Sequence, residues 1–163
     1  MIAYEEAIAR LLDGFQPNAA ESVSLASLVE PGATTRPRFA AGRVSSPIPL
    51  PPFDNSAVDG YAVHAADTQA TDAALQPAGE IAAGPVPTAL PPLEPGTARR
   101  IFTGAPLPPG ADAVIMQEDC EVQPTGRILI LDPVKPWENV RFAGDDLKPG
   151  TTLLEPGDLL KTI

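Results

Sequence analysis

The segment PPFDNSAVDGYAV, residues 51–63, places four polar side chains within six residues: Asp54, Asn55, Ser56 and Asp59. A carboxylate at the entry to a strand, which is the place we expect for Asp59, can bind a metal ion or position a polar substrate. Aspartate, asparagine and serine also form turns by hydrogen bonding to nearby backbone, so a purely structural role stays open.

A second segment, RIFTGAPLPPGAD at residues 100–112, has a threonine and a glycine where a strand-like run ends. Thr103 and Gly104 open a rigid turn there, in which the hydroxyl and exposed backbone N–H groups can hold an oxyanion. A turn that needs glycine and proline only for its shape would have the same composition. The dipeptide alone does not decide between these roles.

Residues 116–119, MQED, end a strand-like run with three polar side chains. Hydrogen-bonded strand ends commonly have this composition. The segment by itself therefore predicts no particular chemistry.

A fourth segment, NVRFAGDD at residues 139–146, has two acids directly after a glycine. Asp145 and Asp146 suit a magnesium ion or a positioned water, and the guanidinium of Arg141 can bind an oxyanion through two hydrogen bonds. A solvated acidic turn is the simpler alternative.

The overall composition narrows the class of protein. The net charge of −10 leaves no basic stripe for gripping a nucleic-acid backbone, and no polybasic run suits a membrane surface. With one cysteine, Cys120, and one histidine, His64, the chain forms no intrachain disulfide and has too few ligands for a thiol and imidazole zinc site. No signal-like start or membrane-length apolar run is present, so we expect a cytoplasmic protein.

The elements that must position these groups are mostly strands. The 21 prolines and 13 glycines favour many short strands and turns over helices. One amphipathic helix is predicted over residues 3–13, where apolar side chains recur at spacings of three and four. Residues 38–44 fit either a short helix or a strand. Apolar runs predict further strands at 22–30, 61–63, 100–103, 113–116 and 126–131. The strands at 100–103 and 113–116 lie on either side of the turn GAPLPPGAD.

The order of the polar segments is more specific than any one of them. PPFDNSAVDGYAV, RIFTGAPLPPGADAVIMQE and ENVRFAGDDLKPG, at these separations, closely resemble the N-terminal region of the MoeA/gephyrin-E family of molybdopterin molybdenumtransferases. The resemblance covers about residues 3–163 and is strong from Pro47 onward.

The resemblance implies a mixed α+β, mostly β fold. A short-stranded β subdomain, residues 46–139, would be inserted into a helix-and-strand subdomain formed by residues 1–45 and 140–163. Four prolines within residues 47–52 and a proline at position 136 favour the same boundaries independently.

The resemblance also implies a function in molybdenum cofactor biosynthesis. Family members insert molybdate into adenylylated molybdopterin, release AMP and use a divalent cation, here expected to be Mg²⁺. They act as homodimers, with the site in a cleft between this region and the molybdopterin-binding domain of the other subunit. Contact with the molybdopterin adenylyltransferase is expected, and no nucleic-acid or membrane partner. Tungstate stays open as the physiological oxyanion.

The roles of individual residues follow from the matched motifs. The resemblance implies catalytic roles for Asp59, Thr103 and Asp146. Asp59 and Asp146 would also hold the metal, which can polarise phosphoryl oxygens and ease the release of AMP. Substrate binding would fall to four further residues: Asn55, Ser56, Gly104 and Arg141.

This chain departs from the family pattern in three respects. The acidic pair is usually Glu-Asp and here is Asp145–Asp146, so the first carboxylate is one methylene shorter. Residues 37–43 differ from the usual Gly-Arg-Val-Leu-Ala. The molybdopterin-binding domain would follow Ile163, so we expect a truncated chain that is catalytically inactive alone.

Two other functions fit the composition. A Pro/Gly-rich β domain can serve as a non-catalytic binding or scaffold module, which a metal titration would distinguish from the enzyme. A sugar- or nucleotide-binding β domain would bind its ligand without any dependence on molybdate.

Overall fold

The computed structural model describes residues 2–15, 18–24, 26, 37–84 and 90–160. Within those ranges the chain is mostly short strands with little helix, as the proline and glycine content predicts. The residues cluster into two compact units. The smaller unit is Met1–Val44 with Thr152–Ile163, and the larger is Ser45–Thr151.

The smaller unit contains helix α1 (Tyr4–Leu12) and takes part in two short two-stranded sheets. In the first pair, Arg38 lies opposite Leu160. Its elements are α1, β1 (Arg38–Phe39) paired with β12 (Leu159–Leu160), and β11 (Thr152–Leu154) paired with β2 (Val44–Ser45), of which Val44 is counted in this unit.

Helix α1 forms where the apolar spacing predicts it. Glu5 and Glu6 occupy its first turn, where the helix dipole favours acids, and Arg10 contacts Glu6 one turn away at 2.6 Å. None of its residues is buried. Of the other predictions here, residues 38–44 form two strands rather than a helix, and most of the predicted strand at 22–30 lies outside the described residues.

The larger unit is built on a six-stranded sheet with the order β7-β4-β6-β5-β9-β8. A separate two-stranded pair, β3 with β10, accompanies the sheet. The strands are β3 (Asn55–Ser56), β4 (Gly60–Val63), β5 (Ala74–Ile81), β6 (Thr97–Ile101), β7 (Ala113–Met116), β8 (Cys120–Val122), β9 (Ile128–Ile130) and β10 (Val140–Arg141).

Strand β4 lies between the two strands that were predicted around the turn GAPLPPGAD. Tyr61 pairs antiparallel with Arg100 of β6 on one side and with Ile115 of β7 on the other. The connection from β6 to β7, residues 102–112, is long enough to cross two interstrand spacings of about 4.8 Å. The start of β4 therefore lies beside the ends of both β6 and β7.

Apolar side chains cover both faces of this sheet. Along β4, Ala62 belongs to one buried cluster and Val63 to the other, and Val114 and Ile115 divide in the same way along β7. This alternation follows from the two-residue period of a strand. The core is made of small and branched aliphatic side chains, as the low aromatic content predicts.

The domain boundaries predicted at 45/46 and 139/140 stay a prediction. In the structure, residues 140–151 belong to the larger unit, because Val140 and Arg141 pair with Ser56 and Asn55. In the described residues we find no helix that is long and apolar enough to cross a membrane.

Candidate functional site

Polar side chains gather along one edge of the six-stranded sheet, by which we mean the side where β4 begins and where β6 and β7 end. Asp59 lies directly before β4, Thr103 lies just after β6, and Gln117 and Glu118 follow β7. Antiparallel pairing brings these ends together although the residues are far apart in the chain. We call the set Asp59, Arg100, Thr103, Gln117 and Glu118 the strand-end cluster.

Thr103 holds the carboxylate of Asp59 with two donors. Its backbone N–H lies 2.8 Å and its hydroxyl 2.7 Å from the same atom, Oδ1. These two bonds lower the pKa of Asp59 below its ordinary value, and the charge of Arg100 contributes further in the same direction. Asp59 is therefore ionised at neutral pH and oriented through one oxygen, while Oδ2 accepts no hydrogen bond from the described residues.

The backbone of Asp59 is fixed as well. Its carbonyl oxygen accepts the N–H of Gln117 at 3.0 Å. The next residue, Gly60, lies so close to β7 that a Cβ there would be 1.8 Å from the carbonyl oxygen of Ile115. Only glycine permits this approach, so Gly60 fixes how near Asp59 lies to the end of β7.

Glu118 is a second acid of this edge. Its Oε1 accepts a hydrogen bond from Nε2 of Gln117 at 2.9 Å. That bond lowers the pKa of Glu118, and Arg100 acts in the same direction, whereas the nearby charge of Asp59 opposes it. Two ionised carboxylates thus lie near each other beside one guanidinium.

Arg100 links the strands of this edge. It donates to the carbonyl of Gly60 at 3.3 Å and to Oε1 of Gln117 at 2.5 Å. Its guanidinium lies 5.3 Å from the ring centre of Tyr61 and 4.9 Å from that of Phe102. Cation–π attraction and two hydrogen bonds therefore hold it in place.

Asn55 and Ser56, predicted to bind substrate, are both buried. The amide of Asn55 donates to the carbonyl of Phe53 at 3.0 Å, and the hydroxyl of Ser56 donates to that of Val58 at 2.6 Å. These bonds favour the turn-forming interpretation of the segment. Substrate binding by the two side chains stays a prediction.

The turn after Thr103 has its amides already paired. The N–H of Gly104 donates to Ser56, and the N–H of Ala105 donates to Phe102. Gly104 has a φ of 80°, which suits glycine. An oxyanion at this turn would have to displace one of these bonds, so the amides predicted to be exposed are not free donors.

The fourth polar segment folds into its own turn. Arg141 forms an ion pair with Asp146 at 2.7 Å, with both side chains about half exposed. Asp145 accepts the N–H of Phe142 at 2.8 Å, and Asp54 accepts the N–H of Ala143 at the same distance. The two acids of the predicted pair therefore do different things, and only Asp146 contacts the arginine.

The segment before Arg141 has an unusual backbone. Trp137 and Asn139 have backbone φ angles of 66° and 57°, in the left-handed region that residues other than glycine rarely adopt. The side chain of Asn139 donates to the carbonyl of Val114, and the N–H of Val114 donates to Glu138. Pairing with β7 thus maintains the strained turn and fixes the start of the strand that carries Arg141.

A metal would find few protein ligands. Among the described residues, no three histidine, cysteine, aspartate or glutamate side chains are grouped so that they could hold a metal ion. The predicted ligands Asp59 and Asp146 contact Thr103 and Arg141 respectively.

The smaller unit has a groove of about 1100 Å³ that Phe39, Val44 and Leu160 help to line, and no predicted site residue lines it.

Sequence reasoning did not select Arg100, Gln117 or Glu118 as site residues. The segment MQED has the composition of an ordinary strand end, and the sequence does not show which strands are its neighbours. The available signal was the cluster of polar residues at the ends of strands that flank Asp59.

Two molybdopterin molybdenumtransferases are similar to this chain over most of its length. It is 42% identical over 127 residues to the "Molybdopterin molybdenumtransferase" of Haemophilus influenzae, covering 77% of this chain and 30% of that protein. It is 34% identical over 167 residues to the protein of that name from Synechococcus elongatus, covering 98% of this chain and 39% of the relative. The chain thus spans about 30 to 39% of the length of these two relatives.

Solved structures agree. The crystal structure of the molybdopterin biosynthesis moeA protein from Pyrococcus horikoshii OT3 superposes with a TM-score of 0.82 at 36% identity, covering 99% of this chain and 41% of that one. The match confirms the predicted mostly β, MoeA-like fold. The protein-family model that describes the MoeA N-terminal region (domains I and II) matches residues 2–163. The chain therefore belongs to this family.

Proposed function

We propose that this chain forms part of a molybdopterin molybdenumtransferase, which inserts molybdate into adenylylated molybdopterin and releases AMP during molybdenum cofactor biosynthesis. The observation that carries the proposal is the ionised carboxylate of Asp59, held by both donors of Thr103 at the edge of the sheet. The names of the relatives support the reaction class. Those relatives are much longer than this chain, and the proposal includes further site residues outside residues 1–163.

Asp59 provides a fixed negative charge in this proposal. Thr103 uses both donors on Oδ1, so the carboxylate is oriented and Oδ2 is left to bind a cation or accept a proton. A group that is already oriented before the substrate arrives loses little entropy when it acts. Asp59 is therefore the residue whose loss should affect turnover most.

Arg141 and Asp146 provide the second part of the proposal. Their ion pair is solvent-accessible, so an anionic substrate oxygen can compete for the guanidinium. Displacement of Asp146 would free its carboxylate at the same moment. The pair can thus exchange an internal contact for substrate and cation contacts.

Magnesium suits these residues, since Mg²⁺ in phosphoryl sites commonly takes only one or two carboxylates and completes its shell with water and substrate oxygens. We propose Asp59 and Asp146 as its protein ligands. When bound, it would neutralise charge on the phosphoryl group whose cleavage releases AMP. The proposal includes a homodimer and transfer of the substrate from a molybdopterin adenylyltransferase.

The test is AMP release from adenylylated molybdopterin, with molybdate and magnesium, by the complete protein that contains these residues. We expect molybdate-dependent release by the wild type and a loss of about 100-fold in Asp59→Asn. Residues 1–163 alone should release none. No release by the folded complete protein would refute the enzyme and favour the non-catalytic binding module.

Asp112→Asn is the matched control. Asp112 also accepts a backbone N–H through Oδ1, that of Ala65 at 2.6 Å, but it lies before the start of β7 and so at the other edge of the sheet. We expect its variant to keep its turnover rate once corrected for the folded fraction. Equal losses in both variants would show that Asp59 has only a structural role.

A further inference from the structure

Arg100 connects all three strand ends of the strand-end cluster through its side chain. It belongs to β6, donates to Gly60 of β4 and donates to Gln117 after β7. Its guanidinium also lies within cation–π distance of the rings of Tyr61 and Phe102. A planar cation on β6 is thus held beside the ends of β4 and β7, next to which the two acids lie.

Gln117 transmits this position to Glu118. Its Oε1 faces the guanidinium of Arg100 at 2.5 Å, so its Nε2 must point away, and it donates to Glu118 at 2.9 Å. An amide has one acceptor end and one donor end, and here the cation and the carboxylate use one each. The orientation of Glu118 therefore depends on where Arg100 lies.

The backbone of Gln117 adds a second connection, because its N–H donates to the carbonyl of Asp59 at 3.0 Å. One residue thus contacts both acids, through its backbone on one side and its side chain on the other. Without a nearby cation, two carboxylates on neighbouring strand ends would repel each other, and the charge of Arg100 acts on both.

We propose that Arg100 is a positioning residue: acting through Gln117 and through its own charge, it holds Glu118 beside Asp59, so that two carboxylates act at this edge of the sheet. The catalytic meaning of this inference rests on the proposed function. The positioning itself is a property of this chain and can be measured without turnover.

The first measurement is the ¹H–¹⁵N spectrum of the labelled chain and of Arg100→Lys. Lysine keeps the charge, but a single ammonium cannot reproduce the planar fork. We expect the side-chain amide of Gln117 and the backbone amide of Thr103 to shift, while amides of the opposite sheet edge stay in place. Unchanged Gln117 resonances in folded Arg100→Lys would overturn the proposal.

Arg99→Lys is the matched control. Arg99 is the adjacent residue of β6, points to the other face, and is buried against the carbonyls of Ala78, Pro91 and Pro92. Its variant should lower the melting temperature without moving the Gln117 side-chain amide. An equal shift of that amide in Arg99→Lys would show a general structural effect and refute positioning.

The second measurement is a kinetic double-mutant cycle in the complete protein. We expect Arg100→Lys to lower kcat by about 10-fold with KM for molybdate changed by less than about 3-fold, because orientation rather than binding is lost. In a Glu118→Gln background the same change should cost less than about 2-fold, since the group being positioned is gone. Full additivity of the two losses would overturn the proposal.

Two results separate this inference from the proposed function. If the wild-type complete protein releases no AMP, the function fails, and the Gln117 resonances still decide whether Arg100 positions the cluster. If Arg100→Lys does not fold, Gln117→Leu interrupts the same connection while keeping the backbone bond to Asp59. Gln117→Leu should then lower kcat in wild type but cost less than about 2-fold in the Glu118→Gln background. Full additivity of Gln117→Leu with Glu118→Gln would refute the connection.

Discussion

The hydroxyl and the backbone N–H of Thr103 both donate to Oδ1 of Asp59, at 2.7 and 2.8 Å. The residues are 44 positions apart, and they meet because β4 and β6 run antiparallel. Two donors on one oxygen fix both the charge and the direction of the carboxylate. This contact should therefore affect both the turnover rate and the stability in acid, and the two effects can be measured separately.

Removing one of the two donors tests turnover. Thr103→Val loses the hydroxyl but keeps the backbone N–H and the branched shape, whereas Thr103→Ser keeps both donors. We expect AMP release by the complete protein to fall about 10-fold in the valine variant and to stay within about 3-fold in the serine variant. Equal rates in the two variants would show that the hydroxyl does not position Asp59.

Acid titration tests the charge of Asp59. Its pKa is lowered in the folded protein, mainly by the two donors of Thr103, so the ionised form contributes stability above the unfolded pKa of about 4 and loses it as pH falls through the folded pKa. We expect wild type to be more stable than Asp59→Asn at pH 7, and the difference to vanish towards pH 2. Urea unfolding across this range measures it; a difference independent of pH would contradict the lowered pKa.

Gly60 tests the spacing between β4 and β7. In Gly60→Ala the new Cβ would lie 1.8 Å from the carbonyl oxygen of Ile115, a backbone atom that cannot move without separating the strands. We expect destabilisation of about 3 kcal/mol or more. Gly42→Ala, where the new Cβ would have no atom within 4 Å apart from its chain neighbours, is the control and should melt within a few degrees of wild type. Thermal unfolding by circular dichroism compares them.

The Arg141–Asp146 pair should matter for activity and not for folding. Both side chains are about half exposed, so the ion pair contributes less than about 1 kcal/mol. We expect Asp146→Asn to unfold at nearly the wild-type urea concentration while AMP release falls at least about 10-fold. A large loss of stability with unchanged turnover per folded molecule would reverse this assignment.

Cys120 should be an unreactive thiol. Burial raises its pKa to about 12, and the nearby charge of Asp119 acts in the same direction. Because the thiolate is the nucleophile, we expect iodoacetamide to react at least about 100-fold more slowly with the folded chain than with the urea-unfolded chain at pH 8. Equal rates would show that the thiol is exposed or ionised.

The polar segments, helix α1 and the four strands β4, β6, β7 and β9 were predictable from local pattern. The helix over 4–12 and strand β4 lie where apolar periodicity predicts them, because a side-chain repeat depends only on the residues within the element. Asp59 and Thr103 were identified as candidates for a related reason, since their motifs are contiguous in the sequence.

Which strands are neighbours was decided by tertiary structure. The sequence shows neither that β4 lies between β6 and β7 nor that Glu118 is therefore near Asp59, because strand order depends on long-range pairing and burial of both sheet faces. It also does not show that Ser56 is buried and that the Gly104 amide is already bonded. Residue types determined which chemistry is available to this protein, and the sheet, by setting distances between strand ends, decided which groups act together.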